Sequence, residues 1–152
     1  MKSILAIIVA LAAFGCATEQ KPPAPPPVVC KTAPVELVTQ DLEQGKGDAV
    51  RFRSAILVNY TGWLYDGCAK DLKGPKFDSS EGRPTPFGFI VGAGRVIRGW
   101  DEGLIGMKEG GKRLLVIPSD KAYGVNGAPP RIPPNAALVF EVTLAKIVQQ
   151  PQ

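Results

Sequence analysis

The sequence predicts an α+β domain, a sheet of strands with one short helix laid against it. Three observations carry that prediction. Apolar runs of strand length recur between residues 35 and 148, 17 glycines and 15 prolines punctuate them, and a single segment shows helical spacing. Strands joined to one helix that cannot stand alone make the α+β pattern.

The elements follow in order. Residues 35–39 read as a short first strand. Residues 50–60 form the second, and its run Ala55-Ile56-Leu57-Val58 is apolar enough to be covered on both faces. The helix is read from Ile97, Trp100, Leu104 and Met107, spaced three, four and three apart in one stripe. Its three glycines, Gly99, Gly103 and Gly106, each cost about 1 kcal/mol in a helix interior. Such a helix must lie on the sheet to exist. A third strand spans 112–117, stopped by Pro118. The last, 138–148, alternates Leu138, Phe140, Val142 and Leu144 against Glu141 and Thr143. Residues 123–134, rich in Gly and Pro, make a loop suited to the rim of a pocket.

Ahead of this domain stand two segments of another kind. Residues 1–15 read as an export signal, with Lys2 before an apolar run from Ile4 to Phe14 that is too short to span a bilayer. Cys16 follows the small residues Ala13 and Gly15, which suit ordinary cleavage. The place also resembles a bacterial lipobox, with Ala13 and Phe14 departing from its usual leucine and small residue. A cysteine directly after the cut points to lipidation of Cys16, and Ala17 behind it to the outer membrane. Residues 16–33 then read as a lipid-anchored tether. Its Pro22-Pro23-Ala24-Pro25-Pro26-Pro27 run favours an extended polyproline spacer. Residues 34–148 are the folded domain and 149–152 a C-terminal tail. With Cys16 lipidated, Cys30 and Cys68 remain either as a disulfide pair in an oxidising compartment or as two separate thiols.

Composition narrows the function. The chain contains no histidine, which removes Ser-His-Asp and Cys-His nucleophiles and histidine-bearing zinc sites. The cysteines lack any C-x-x-C pairing, so no metal site is expected. Val91-Gly92-Ala93-Gly94 lacks the spacing of a nucleotide loop. A net charge of +4 is scattered, and Lys112-Arg113 is its nearest approach to a cluster. Nucleic-acid binding, which uses a basic stripe, is not expected. What remains is a set of rings with one carboxylate. That set suits an apolar pocket which changes a substrate's conformation rather than its covalent bonds.

The motifs Asn59-Tyr60-Thr61-Gly62, Lys76-Phe77-Asp78-Ser79-Ser80, Val96-Ile97-Arg98-Gly99-Trp100, Ala122-Tyr123-Gly124, Ile132-Pro133-Pro134-Asn135-Ala136 and Leu138-Val139-Phe140 occur in that order. Together they resemble the FKBP-type peptidyl-prolyl cis-trans isomerases, the macrolide-binding immunophilins, over nearly the whole domain. The resemblance implies a twisted antiparallel β-sheet half-barrel wrapped around one short α-helix. It implies Trp100 as the pocket floor, Tyr60, Phe87 and Phe140 as walls, and Phe77, Val96 and Ile97 completing them. Asp78 and Tyr123 become the polar groups that meet a substrate or macrolide, Arg83 sits near Asp78, and Ile132, also a binding residue, belongs to the loop that overhangs the pocket. Tyr60, Asp78, Trp100 and Tyr123 are the expected catalytic set. Each could instead be ordinary core or turn, and it is their joint match that makes a pocket.

The implied activity is rotation of X-Pro amides in folding proteins of the cell envelope, at the periplasmic face, without cofactor or metal. Proline-containing polypeptides are the expected partners, and macrolides such as rapamycin the expected inhibitors. The chain lacks the long dimerising helical arm of some relatives, so a monomer is expected. The alternative is a non-catalytic chaperone or peptide-binding module using the same pocket. Three departures from the family pattern stand out: an insertion from Cys68 to Pro75, Arg95 where Glu or Gln is frequent, and Arg131 where an aliphatic residue or glycine is frequent.

Overall fold

The computed structural model describes residues 29–149. Among them are β1 (Val38–Glu43), β2 (Ala55–Tyr65), β3 (Lys73–Ser79), β4 (Phe87–Ile90), α1 (Arg98–Gly103), β5 (Lys112–Ile117) and β6 (Leu138–Gln149), with two 3-10 turns between β5 and β6. The six strands form one antiparallel sheet in the order β1-β5-β6-β2-β3. The outer edge of β2 is shared: Ala55 to Val58 pair with β4, and Thr61 to Tyr65 with β3. Strands β2 and β6 are the spine, paired from Ala55 opposite Gln149 to Leu64 opposite Leu138.

Alternation on β6 and β5 builds the core. Leu138, Phe140, Val142 and Leu144 of β6 are buried with Leu115 and Ile117 of β5, Ile56 and Val58 of β2, and Leu104 beyond the helix. Glu141, on the opposite face, accepts hydrogen bonds from Lys73 and from Lys112, the latter at 2.8 Å. The Lys112-Arg113 pair is thereby divided between the two faces of one strand. Arg113 turns inward and is buried. Its Nη1 donates to the carbonyls of Gly103 at 2.8 Å and Ile105 at 3.0 Å, and its Nε to Asp41 Oδ1 at 2.6 Å. One guanidinium therefore caps the carbonyl end of α1 and fastens edge strand β1. Its hydrogen bond holds the Asp41 carboxyl below the usual carboxylate range.

Several sequence expectations shift. The first strand begins at Val38 rather than 35 and runs on through polar Gln40 and Asp41, because an edge strand needs backbone partners more than burial. The second starts at Ala55 and continues past Tyr60 to Tyr65. Its Ile56 and Val58 are buried while Ala55 and Leu57 are only half-buried, so one face, not both, is covered. Strands β3 and β4 were not expected. The insertion beginning at Cys68 turns at 69–72 and then enters β3 at Lys73. The helix ends at Gly103, so Leu104 and Met107 reach the core from the turn after it, where Gly106 adopts φ 79°. The final strand extends one residue, to Gln149, into the expected tail.

Near the N-terminal end of the described chain, Cys30 and Cys68 form a disulfide across 38 positions. Lys31 N donates to Gly67 O at 2.9 Å, and Tyr65 Oη donates to Thr32 O at 2.9 Å. By chain entropy, closing a loop of that length stabilises the fold by about 3–4 kcal/mol. The expected signal peptide, Cys16 and the proline spacer lie outside the described residues. No helix among the described residues is long and apolar enough to cross a membrane.

The helix sits on β5 through its glycines. A Cβ on Gly99 would collide with Ile117, coming within 2.8 Å of its Cδ1, and one on Gly103 would come within 2.9 Å of Leu115 Cδ2. Gly99→Ala thus sets two effects against each other. Helix propensity favours alanine by about 1 kcal/mol, whereas overpacking a filled core costs about 1–3 kcal/mol. Ile117 is fully buried and has nowhere to swing, so packing should win. The denaturant midpoint of Gly99→Ala should fall; a raised midpoint would show that the helix is free to lift off the sheet.

Candidate functional site

Trp100 lies on α1 with 4% of its surface exposed, and four rings stand around it. Tyr60 from β2 and Phe140 from β6 meet it nearly edge-on, with centroids 5.0 and 5.2 Å away and interplanar angles of 79° and 82°. Phe87 and Phe89 from β4 approach at 6.2 and 5.6 Å. Phe77 from β3 then stands at 90° to Phe140, 5.5 Å off. Each such pair adds about 0.5–1.5 kcal/mol beyond the area it buries. The rings enclose a cavity of ≈ 190 Å³ whose mouth is completed by Val96, Ile97, Arg95, Asp78 and Tyr123. The Trp100 indole N–H has no acceptor among the described residues.

A glycine makes room for the walls. Gly62 sits mid-strand in β2, and a Cβ there would lie 2.6 Å from Phe140 Cε1 and 2.8 Å from Phe77 Cζ. Glycine inside a strand often marks such a close approach.

The polar side of the cavity is built on one carboxylate. Tyr60 Oη donates to Asp78 Oδ2 at 2.7 Å, Arg83 Nη2 to Oδ1 at 2.9 Å, and the Ser79 backbone N–H to Oδ1 at 2.9 Å. Ser80 locks the register beneath: its Oγ accepts from Tyr60 N at 2.8 Å, and its own N–H donates to Tyr60 O at 2.9 Å. Burial, then the bond to Asp78, push the Tyr60 phenol up to about 12. Tyr123, on the loop beyond β5, is 41% exposed. Burial of the rest of its ring, with the charge of Asp78, raises it as well. Both phenols keep their protons at neutral pH.

Of the residues singled out from sequence, Tyr60, Phe77, Asp78, Phe87, Val96, Ile97, Trp100, Tyr123 and Phe140 come together at this cavity. Arg83 does not line it but stands beside it, bonded to Asp78 and with its guanidinium carbon 5.8 Å from the centre of the Tyr60 ring. Ile132 departs from expectation. It is buried in the core, with a two-way backbone pairing to Ala128 that closes its loop, and it does not line the cavity.

Two residues of the site, Phe89 and Asp101, were not singled out, and Arg95 was noted only as a departure from the family pattern. Phe89 joins Trp100 because β4 was not foreseen. Arg95 lines the mouth. Asp101 shapes it from behind, its two carboxylate oxygens accepting the N–H groups of Gly92 at 2.7 Å and Gly94 at 3.0 Å and so holding the loop that carries Arg95, Val96 and Ile97. An acid in the first turn of a helix was the available signal for Asp101.

Comparison with known proteins agrees with this geometry. Residues 46–145 match the family described as FKBP-type peptidyl-prolyl cis-trans isomerase. The chain is 49% identical over 113 residues to an "FK506-binding protein" of Neisseria meningitidis, covering 74% of this chain and 97% of that one. It is 50% identical over 106 residues to human "Peptidyl-prolyl cis-trans isomerase FKBP2", covering 70% and 66%. A crystal structure of a peptidyl-prolyl cis-trans isomerase from Pseudomonas syringae pv. tomato aligns with a TM-score of 0.61 at 36% identity, over 74% of this chain and 76% of that one.

The Tyr60 phenol makes a test of the polar network. Its proton is held more tightly in the folded chain than near pH 10, where an unfolded tyrosine releases it. Stability contributed by this group is therefore present below pH 10 and lost as pH rises towards 12. Tyr60→Phe should cost about 0.5–1.5 kcal/mol at pH 8 for the lost hydrogen bond. It should also flatten the fall in urea midpoint between pH 10 and 12 relative to the wild type. Parallel curves for the two proteins would show that the phenol is not held by Asp78.

Proposed function

The chain belongs to the FKBP-type peptidyl-prolyl cis-trans isomerases, and on that premise we propose that its aromatic cavity rotates X-Pro bonds by desolvating and twisting the amide. The observation that carries this reading is the floor and walls of rings about Trp100, with a single carboxylate already engaged by three donors.

The barrier to amide rotation, about 18–20 kcal/mol, comes from resonance that separates charge between nitrogen and oxygen. Water stabilises that separation, and an apolar cavity does not. Moving the prolyl amide over the Trp100 ring therefore destabilises the planar form relative to the twisted one. A cavity shaped to the twisted bond lowers the barrier further, since only interactions stronger in the transition state accelerate the step. Asp78 already accepts three hydrogen bonds, and through them it orients the Tyr60 ring and the cavity mouth. Tyr123, open at the mouth, supplies a neutral donor to a substrate carbonyl. Macrolides of the FK506 type would compete for the same cavity.

The same reading places the protein in the cell envelope as a monomer, carried on a lipid attached to Cys16 and held off the outer membrane by its proline spacer. The sequence order of apolar run, Cys16 and Pro22–Pro27 supports it. Cys16→Ser should move the protein from the detergent phase to the soluble fraction; unchanged partitioning would mean another anchor.

The catalytic reading is tested with a Leu-Pro peptide in a protease-coupled assay. Turnover should be accelerated, and nearly flat from about pH 6 to 8.5, because the phenols at the site titrate only above that range. Trp100→Leu should lose about 1.4 kcal/mol or more of transition-state binding, a factor of ten, while the profile stays flat. A titration near neutrality would overturn the mechanism. Binding of the peptide without acceleration would turn the reading to a non-catalytic binding module.

A further inference from the structure

The cavity over Trp100 does not end at Phe77. A second, shallower cavity of ≈ 460 Å³ adjoins it, lined by Leu64, Pro75, Lys76 and Arg131 and sharing Phe77 and Asp78 with the first. The two meet at Phe77 and Asp78 to form one groove, with Arg95 lining the first cavity and Arg131 the second.

The charges along this groove do not balance. Asp78 is the only carboxylate in either lining, and Tyr60, Arg83 and Ser79 already occupy it. Lys76 faces Glu81 at 3.8 Å. Arg131 spends one Nη1 hydrogen on Phe77 O at 3.3 Å and meets no acid, and exposed Arg95 meets none either among the described residues. Lys73 and Lys112, by contrast, are matched by Glu141, and Lys121 by Glu102. Two arginines without acids among the described residues, one in each of two adjoining cavities, favour a chain that brings acids to both.

Resting on the isomerase reading above, we propose that this groove selects proline segments flanked by Asp or Glu, with Arg95 reading the acid on one side of the proline and Arg131 the acid on the other. Both arginines bind substrate and take no part in the rotation itself. A guanidinium presents a fixed fork of donors that fits a carboxylate, and the pairs form at the rim, where salt can reach them.

Exposed ion pairs contribute modestly, so the expected preference is about two- to fivefold in kcat/KM on each flank. The probes are acetylated, amidated peptides in isosteric pairs: Ala-Glu-Pro-Phe against Ala-Gln-Pro-Phe, and Ala-Leu-Pro-Glu against Ala-Leu-Pro-Gln. Exchange rates are read by NMR on the full-length protein in low salt and in about 1 M NaCl, where the screening length shrinks to about 3 Å. The Glu-to-Gln ratio should exceed two in both pairs in low salt and approach one in high salt. Arg95→Gln should abolish it in one pair and Arg131→Gln in the other, as a ratio within each variant and mainly through KM. A ratio of one in both pairs for an active wild type overturns the inference, as does a ratio that survives in the double variant. Failure to turn over even the Gln peptides would strike at the isomerase reading instead, so the two failures are distinct.

Discussion

The closeness of α1 to β5 is the constraint on which the rest depends. Six residues of helix, two of them glycine, have no stability of their own. They are held because Gly99 and Gly103 let the backbone settle directly onto Ile117 and Leu115, and because Arg113 takes the carbonyls at the helix end. That seating fixes the height of Trp100 above the sheet. The indole then meets Tyr60 and Phe140 edge-on, and the cavity is what remains between them. Larger residues at the two glycines would raise the helix and spread the rings. The site is a by-product of how close two backbones are permitted to come.

Much of this was legible from local pattern, and the exceptions share a cause. Strand β5 has the expected bounds because six residues of mixed Lys, Arg and aliphatic character end cleanly at Pro118. Tyr60, Phe77, Trp100 and Phe140 were legible because each lies in a short motif with a particular order. Strand β3 was not, since Gly74, Pro75 and two lysines suppress any apolar alternation. Strand β4 is four residues long with a glycine inside it, below the length at which periodicity speaks. Gly62 reads as a strand end until one knows that two phenylalanines need its space. Ile132 was assigned by its neighbours in sequence, whereas its pairing with Ala128 turns the side chain into the core. What escaped was set by contacts distant in sequence, which no local window contains.

The electrostatics of the cavity suit a reaction without proton transfer. The Tyr60 phenol, partly buried and donating to Asp78, resists losing its proton. The pairing holds phenol and carboxylate in one fixed arrangement beside the rings. Polar groups so tied cost less to keep near an apolar floor than the same groups left open. The arrangement gives the cavity a polar edge for orientation and leaves its floor dry, which is the combination the proposed desolvation of an amide requires.

The disulfide between Cys30 and Cys68 also decides where a pull on the chain would be felt. Every residue of β1 is exposed, and it is held as an edge strand by its ladder to β5 and by Asp41 on Arg113. Tension entering through the backbone at residue 37 would act on that strand alone, and an antiparallel edge peels one hydrogen bond at a time. With the sulfurs joined, tension from upstream of Cys30 crosses to Cys68 and enters the loop after β2, bypassing residues 31–67. Strand β2 is bonded along both edges, to β6 on one side and to β3 and β4 on the other. It lies with β1 inside the bypassed loop, and the load runs on from Cys68 into β3, which is paired to β2. The two sulfurs thus move the point of pull off the β1 edge and onto the turn that leads into β3.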